Sequence, residues 1–89
     1  VAGIFAVRVG GIGTELLPGV ASVGTRPTVN GKSPLLEVHI FDFARDLYGR
    51  YIHVQFIAKL RDEVKFPDLQ SLQRQMHLDA AEARRVLAI

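Results

Sequence analysis

Glu37 is the residue whose setting in this sequence could best support chemistry. It lies in residues 35–43, where apolar and polar side chains alternate as in a strand with one buried face. The alternation assigns two sets of side chains to opposite faces: Leu36, Val38 and Ile40 to one, and Glu37, His39 and Phe41 to the other. A carboxylate on a rigid strand beside an imidazole can accept a proton from a reacting group. On the pattern alone, however, Glu37 is better explained as one more polar residue on the outer face of a strand than as a catalytic group.

Other residue types that often carry chemistry are scattered. His39, His53 and His77 lie in three separate predicted elements without metal-ligand spacing. The serines stand in no nucleophile motif, and the absence of cysteine excludes disulfides and thiolate metal sites. Residues 11–13 match the first half of a dinucleotide-binding motif, but Leu16 occupies its third glycine position, which favours a hairpin loop instead.

Size and composition limit the possible functions. The chain has 89 residues, which is one domain or part of one, with a modest core. Its 48% apolar and 22% charged residues are typical of a globular protein. The formal charge of +2 is spread along the chain, which argues against nucleic-acid binding. No apolar run approaches the roughly 18 residues of a membrane span, and no signal peptide is evident, so we expect a cytoplasmic protein that binds no membrane.

Four strands are predicted, the first two as a hairpin. Residues 4–9 and 20–23 are rich in β-branched side chains, and glycines separate them. Residues 24–34, with two prolines and two glycines, are predicted to form a long loop that leads into the strand of Glu37. That strand and a second long one over residues 51–61 are predicted to be joined by a turn. In the second long strand, five apolar residues are expected on one face: Ile52, Val54, Phe56, Ala58 and Leu60.

A C-terminal helix is predicted to start after Asp68, whose carboxylate can cap the free amides of the first turn. Apolar residues then recur at spacings of three and four along about five turns: Leu69, Leu72, Met76, Ala80, Ala83 and Leu87. The patterns together indicate a small antiparallel β domain, a barrel or a piece of one, with one helix.

Five segments resemble successive motifs of the riboflavin kinase family. In order they are residues 3–9, 19–28, 36–43, 46–50 and 60–66. The resemblance extends from about Gly3 to Leu87 and is strongest to the C-terminal kinase module of the bacterial bifunctional riboflavin kinase/FAD synthetase. It implies a mainly β fold, an antiparallel Greek-key barrel of six strands followed by a long helix, present here in part as one domain over residues 1–89.

The resemblance also implies an activity, the transfer of the ATP γ-phosphate to the terminal ribityl hydroxyl of riboflavin, which gives FMN and ADP with Mg²⁺ as cofactor. It assigns Glu37 as the base toward that hydroxyl, a role consistent with the needs of phosphoryl transfer. Two loops supply candidate substrate-binding residues. They are Thr25, Arg26 and Thr28 before the strand of Glu37, and Arg61, Asp62, Glu63 and Phe66 in a segment that covers the flavin.

One family motif, Gly-Phe-Pro-Thr-Ala-Asn, is absent from these 89 residues. In the family its Thr and Asn hold Mg²⁺ and the nucleotide phosphates, so no metal ligand is expected here. We expect an N-terminally truncated module without appreciable kinase activity, whose parent protein carries an N-terminal adenylyltransferase domain and also makes FAD. A barrel without its opening strand has a free edge, which predicts a possible homodimer.

Two other classes of function fit the same pattern. A non-catalytic β-barrel module would bind flavin or a protein partner, and its flavin affinity would not depend on the charge of Glu37. An RNA-binding barrel would lose affinity steeply with salt, but the sequence has only five Phe and two Tyr for stacking on bases.

Overall fold

The computed structural model describes residues 2–44, 49 and 51–89. Its elements are β1 (Gly3–Gly10), β2 (Leu17–Thr28), β3 (Gly31–Ile40), β4 (His53–Arg61) and α1 (Leu69–Leu87). The strands form one antiparallel sheet in the order β3-β2-β1-β4, which is the strand order of a Greek key. This confirms the predicted class, a partial barrel with a C-terminal helix, and it confirms the first hairpin.

The two long strands of the prediction, β3 and β4, do not lie side by side. They form opposite edges of the described sheet, because β1 pairs with both β2 and β4. β1 is buried along nearly its whole length, as a central strand with both faces covered must be. The predicted turn over residues 46–50 lies outside the described residues, apart from Gly49.

The long loop predicted over residues 24–34 is instead a hairpin. β2 continues to Thr28 and pairs with β3 through Thr28 and Gly31, with Asn30 in the turn. Beyond Val23, β2 pairs with β3 and with no other strand among the described residues. Proline has no backbone N–H to donate, so Pro27 is best tolerated in a part of a strand that pairs on one side only.

The prediction that the apolar residues of β4 share one face is also wrong. β4 shifts register against β1 twice, between the partners of Ile4 and Phe5 and between those of Ala6 and Val7. Each irregularity places one extra residue in β4 relative to β1. The side chains of β4 beyond that point therefore lie on the opposite face of the sheet from the one that simple alternation predicts. Val54 therefore packs on one side of the sheet and Leu60 on the other.

Each face of the sheet has its own apolar cluster. The inner cluster, on the face away from α1, consists of Phe5, Val7, Val9, Ile12, Ala21 and Ile40. The helix-side cluster consists of Ala6, Phe41, Ala83 and Leu87. The predicted apolar stripe of α1 thus packs in its C-terminal half, whereas Leu69 and Met76 remain exposed.

Both ends of α1 are capped. Asp68 Oδ1 accepts a hydrogen bond of 2.7 Å from the Ser71 amide, as predicted. At the other end, Arg8 Nη2 donates to the Leu87 carbonyl oxygen at 3.1 Å. Because Arg8 belongs to β1, this bond ties the helix C-terminus to the central strand.

Candidate functional site

A groove of about 450 Å³ lies between the sheet and the N-terminal half of α1. Its apolar lining comes from Ile4, Val20, Val38, Phe41, Leu72, Met76 and Ala80. Its polar lining comes from Ser22, Glu37, His39, Arg61 and Asp79. A largely apolar groove with a few polar side chains is the usual form of a small-molecule site.

Glu37 and His39 share the groove face of β3, as their alternation predicted. The register pairs Glu37 with Ser22, and His39 with Val20. The His39 ring contacts the Phe41 ring edge-on, with 6.0 Å between centroids. The Glu37 side chain is exposed on the groove wall, so it is accessible to a ligand.

Glu63 brings a second carboxylate to the same end of the groove. The Ser22 hydroxyl donates a long hydrogen bond of 3.5 Å to Glu63 Oε1. Gly24 makes room for that carboxylate, since a Cβ at Gly24 would lie 2.5 Å from Glu63 Oε1. Ser22 is the cross-strand neighbour of Glu37, so Glu37 and Glu63 flank one serine.

Arg61 and Asp79 form an ion pair across the groove, joining β4 to α1. Arg61 Nε donates to Asp79 Oδ1 at 2.8 Å, and Arg61 Nη2 donates to Oδ2 at 2.7 Å. Gln75 Nε2 adds a hydrogen bond of 2.9 Å to Oδ1. Both carboxylate oxygens therefore have donors, in the bidentate geometry that arginine favours.

The surroundings of this pair shift both pKa values. Burial raises the pKa of Asp79, but hydrogen bonds from Arg61 and Gln75 and the charge of Arg61 outweigh that effect, so the pKa lies below its usual value. The hydrogen bond to Asp79 raises the pKa of Arg61, against an opposing effect of burial. Both groups are thus charged at neutral pH.

Asp79 was missed in the sequence analysis, although a signal for it exists. It follows Met76 by three residues and precedes Ala83 by four, so it lies on the apolar face of the helix. It is 7% exposed, the one buried charged side chain in the part of the chain that the structure describes. A carboxylate on an apolar helix face requires a charged or hydrogen-bonding partner, which here is Arg61.

The segment of residues 62–66 follows β4 directly and contacts Arg61 at both ends. Arg61 Nη1 donates to the Asp62 carbonyl oxygen at 3.0 Å, and the guanidinium carbon lies 5.7 Å from the centroid of the Phe66 ring. The Asp62 side chain points elsewhere, into a 2.6 Å ion pair with Lys59. Glu63 and Phe66 are absent from the groove lining, but their contacts with Ser22 and Arg61, which belong to it, place them next to one end of the groove.

The riboflavin kinase family model matches residues 1–87. The chain belongs to the riboflavin kinase family.

The relatives of this riboflavin kinase module are longer proteins. The chain is 47% identical over 89 residues to the bifunctional riboflavin kinase/FMN adenylyltransferase of Escherichia coli strain K12, covering 100% of this chain and 28% of that protein. It is 44% identical over 82 residues to the enzyme of the same name from Haemophilus influenzae, covering 92% of this chain and 27% of that one. The chain therefore spans little more than a quarter of the length of these relatives.

A similar solved structure comes from Streptococcus pneumoniae and is described as a macrolide-efflux protein. It is 35% identical, with a TM-score of 0.79, and the match covers 88% of this chain and 25% of that one. That description differs from the names of the sequence relatives. The family model decides the assignment, because it spans almost the whole of this chain.

The remaining predicted site residues lie away from the groove. Thr25, Arg26 and Thr28 are exposed on the outer part of the β2–β3 hairpin and are absent from the groove lining. Arg26 follows Ser22 by four residues, about 13 Å along the strand. Of the predicted residues, Glu37 and Arg61 line the groove, and Glu63 and Phe66 contact residues that line it. For the first predicted loop, the structure shows neither.

The described residues do not fit a resident metal ion. Within residues 2–44, 49 and 51–89, no group of three or more His, Cys, Asp or Glu side chains could hold one. In kinases Mg²⁺ is usually held together with the substrate phosphates and water rather than by protein ligands alone, so such an ion would arrive with ATP.

Proposed function

We propose that this chain supplies the riboflavin site and the catalytic base of a riboflavin kinase, which transfers the ATP γ-phosphate to the ribityl hydroxyl of riboflavin and forms FMN. The observation that carries the proposal is the position of Glu37, on a strand at the wall of an apolar groove. Family membership supports the reaction class.

The groove matches the two chemical parts of riboflavin. Its apolar side chains, with Leu72 and Met76 from α1, suit the flat isoalloxazine ring. The ribityl chain then extends toward the polar end, where Glu37 accepts the proton of the terminal hydroxyl as the oxygen attacks the γ-phosphorus. Since phosphoryl transfer depends mainly on positioning and charge stabilisation, one fixed proton acceptor is the contribution expected from this wall.

Residues 62–66 cover the flavin in this proposal. Glu63 and Phe66 lie next to the groove, in contact with its lining residues Ser22 and Arg61 respectively. Closure of such a segment would exclude water from the transferring phosphoryl group. Asp62, Thr25, Arg26 and Thr28 keep their proposed substrate-binding roles through the family resemblance alone.

The ATP and metal sites belong to a longer protein in this proposal. Mg²⁺ bound with ATP would neutralise phosphate charge, and we place its ligands in the Gly-Phe-Pro-Thr-Ala-Asn motif upstream. The names of the relatives support an FMN adenylyltransferase activity, and with it FAD synthesis, in the same polypeptide. We place that domain N-terminal to this chain through the family resemblance alone. No helix among the described residues is long and apolar enough to span a membrane. A cytoplasmic location is also part of the proposal.

Homodimerisation through a sheet edge is a separate proposal. β3 and β4 form the two edges of the described sheet, and they carry the half-exposed side chains of Leu36 and Phe56. Such edges can pair with a second copy. Sedimentation of the 89-residue chain should then show a concentration-dependent dimer, whereas a monomer at every concentration would contradict this proposal.

Riboflavin binding tests the proposed function. Quenching of flavin fluorescence is measured for the 89-residue chain and for an extended protein that includes the upstream motif, each with and without MgATP. We expect the extended protein to bind riboflavin and form FMN, and the 89-residue chain to form none.

Three outcomes separate the alternatives. FMN formation by the 89-residue chain would refute its dependence on an upstream segment. Saturable flavin binding by the extended protein without FMN formation would indicate a non-catalytic binding module. Absence of flavin binding in both proteins would show that the family resemblance gives the fold but not the function.

A further inference from the structure

We propose that Asp79 is a positioning residue, which acts through Arg61 to hold residues 62–66 at the end of the groove and thereby raises riboflavin affinity. The effect on riboflavin rests on the proposed function, whereas the effect on residues 62–66 does not.

The first step is the fixed orientation of the Arg61 side chain. Asp79 accepts two parallel hydrogen bonds from the guanidinium, at 2.8 and 2.7 Å, and its own carboxylate is buried in a helix face that packs on the sheet. Gln75, one turn earlier in α1, fixes the carboxylate in turn. A bidentate pair between two packed elements leaves the guanidinium plane little freedom to rotate.

The second step is the contact between this guanidinium and the segment. Arg61 Nη1 donates to the Asp62 carbonyl oxygen, at the start of the segment, and the guanidinium lies against the Phe66 ring at its end. One cation thus contacts both ends of the segment, and its position depends on Asp79. Residues 62–66 have no regular secondary structure, so they lack a backbone ladder to hold them.

The third step concerns the middle of the segment. There the Glu63 carboxylate lies above Gly24 and accepts the 3.5 Å hydrogen bond from Ser22. That bond is long and exposed, so it is weaker than the bidentate pair. Without Asp79, residues 62–66 would therefore depend on this bond and on the exposed ion pair between Asp62 and Lys59, since exposed ion pairs contribute little.

Backbone ¹⁵N relaxation of Asp79→Asn tests this inference directly. The substitution preserves side-chain size but removes the charge and one acceptor. We expect the backbone order parameters of residues 62–66 to fall below about 0.6, the flexible range, with those of β1 and β2 unchanged. Arg61→Lys should have the same effect, because lysine keeps the positive charge but lacks the planar guanidinium that donates two parallel hydrogen bonds. Glu82→Gln is the matched control, because it removes an exposed ion pair with Arg85 on the same helix.

Riboflavin affinity is then measured for the same variants in the extended protein. Loss of a charge-assisted pair should weaken riboflavin binding about tenfold in Asp79→Asn and leave Glu82→Gln unchanged. Unchanged order parameters in residues 62–66, in Asp79→Asn or, if that variant unfolds, in Arg61→Lys, would overturn the inference. Lower order parameters with unaltered riboflavin affinity would overturn the role toward substrate. If the wild-type protein binds no riboflavin but residues 62–66 still loosen, the proposed function fails and the structural role of Asp79 stands.

Discussion

Replacing Glu37 by Gln is expected to lower FMN formation by a factor on the order of 10²–10⁴ while riboflavin binding stays near the wild-type value. The amide has nearly the size and shape of the carboxylate, so the groove wall is preserved. It cannot accept the proton of the ribityl hydroxyl, however, and general-base assistance is lost in the transition state. The rate is measured in the extended protein with riboflavin and MgATP, by chromatographic separation of FMN.

The division of the effect between kcat and KM distinguishes a base from a binding residue. Loss of a group that acts in the transition state lowers kcat and kcat/KM together, whereas loss of a ground-state contact raises KM. Glu15→Gln is the matched control, since it removes an exposed carboxylate from the β1–β2 connection. A wild-type kcat in Glu37→Gln would show that this carboxylate is not the base.

The sequence pattern correctly predicted those elements whose formation depends on residues close together in the chain. The spacing of apolar residues and the cap at Asp68 placed α1 correctly, because both depend on residues within one or two turns. Glycines between two β-branched runs predicted the β1–β2 hairpin for the same reason. The insertion of β1 between β2 and β4 depends on pairing across about 50 residues, which no local pattern reports.

The same distinction applies to the candidate site. Alternation along β3 correctly put Glu37 and His39 on one face. β3 pairs with β2 without a bulge, so every second side chain stays on the same face of the sheet. The two bulges of β4 interrupt this alternation, so the face on which Leu60 lies could not be predicted by counting residues along the strand. The Arg61–Asp79 pair joins residues 18 positions apart in different elements. The feature of the sequence that indicates it is the position of Asp79, a charged residue on the apolar face of the helix.

Replacing Leu87 by Ala is expected to destabilise the chain by about 2–5 kcal/mol, the usual range for a buried leucine. Leu87 is 4% exposed and packs in the helix-side cluster with Phe41 and Ala83. A domain of this length has a total stability on the order of 4–13 kcal/mol, so this one truncation removes a large share of it. The measurement is the urea midpoint of unfolding, followed by the circular dichroism of the helix.

Leu78→Ala is the control for this prediction, because it is the same substitution on the same helix at a side chain that is 57% exposed. It should change the free energy of unfolding by less than about 0.5 kcal/mol. The helix-side cluster forms where α1 crosses β1, next to the hydrogen bond from Arg8 to the Leu87 carbonyl oxygen. Equal urea midpoints for the two variants would mean that α1 is not held by its C-terminal half. The groove, which lies along the N-terminal half, would then lack the fixed helix that positions Asp79 opposite Arg61.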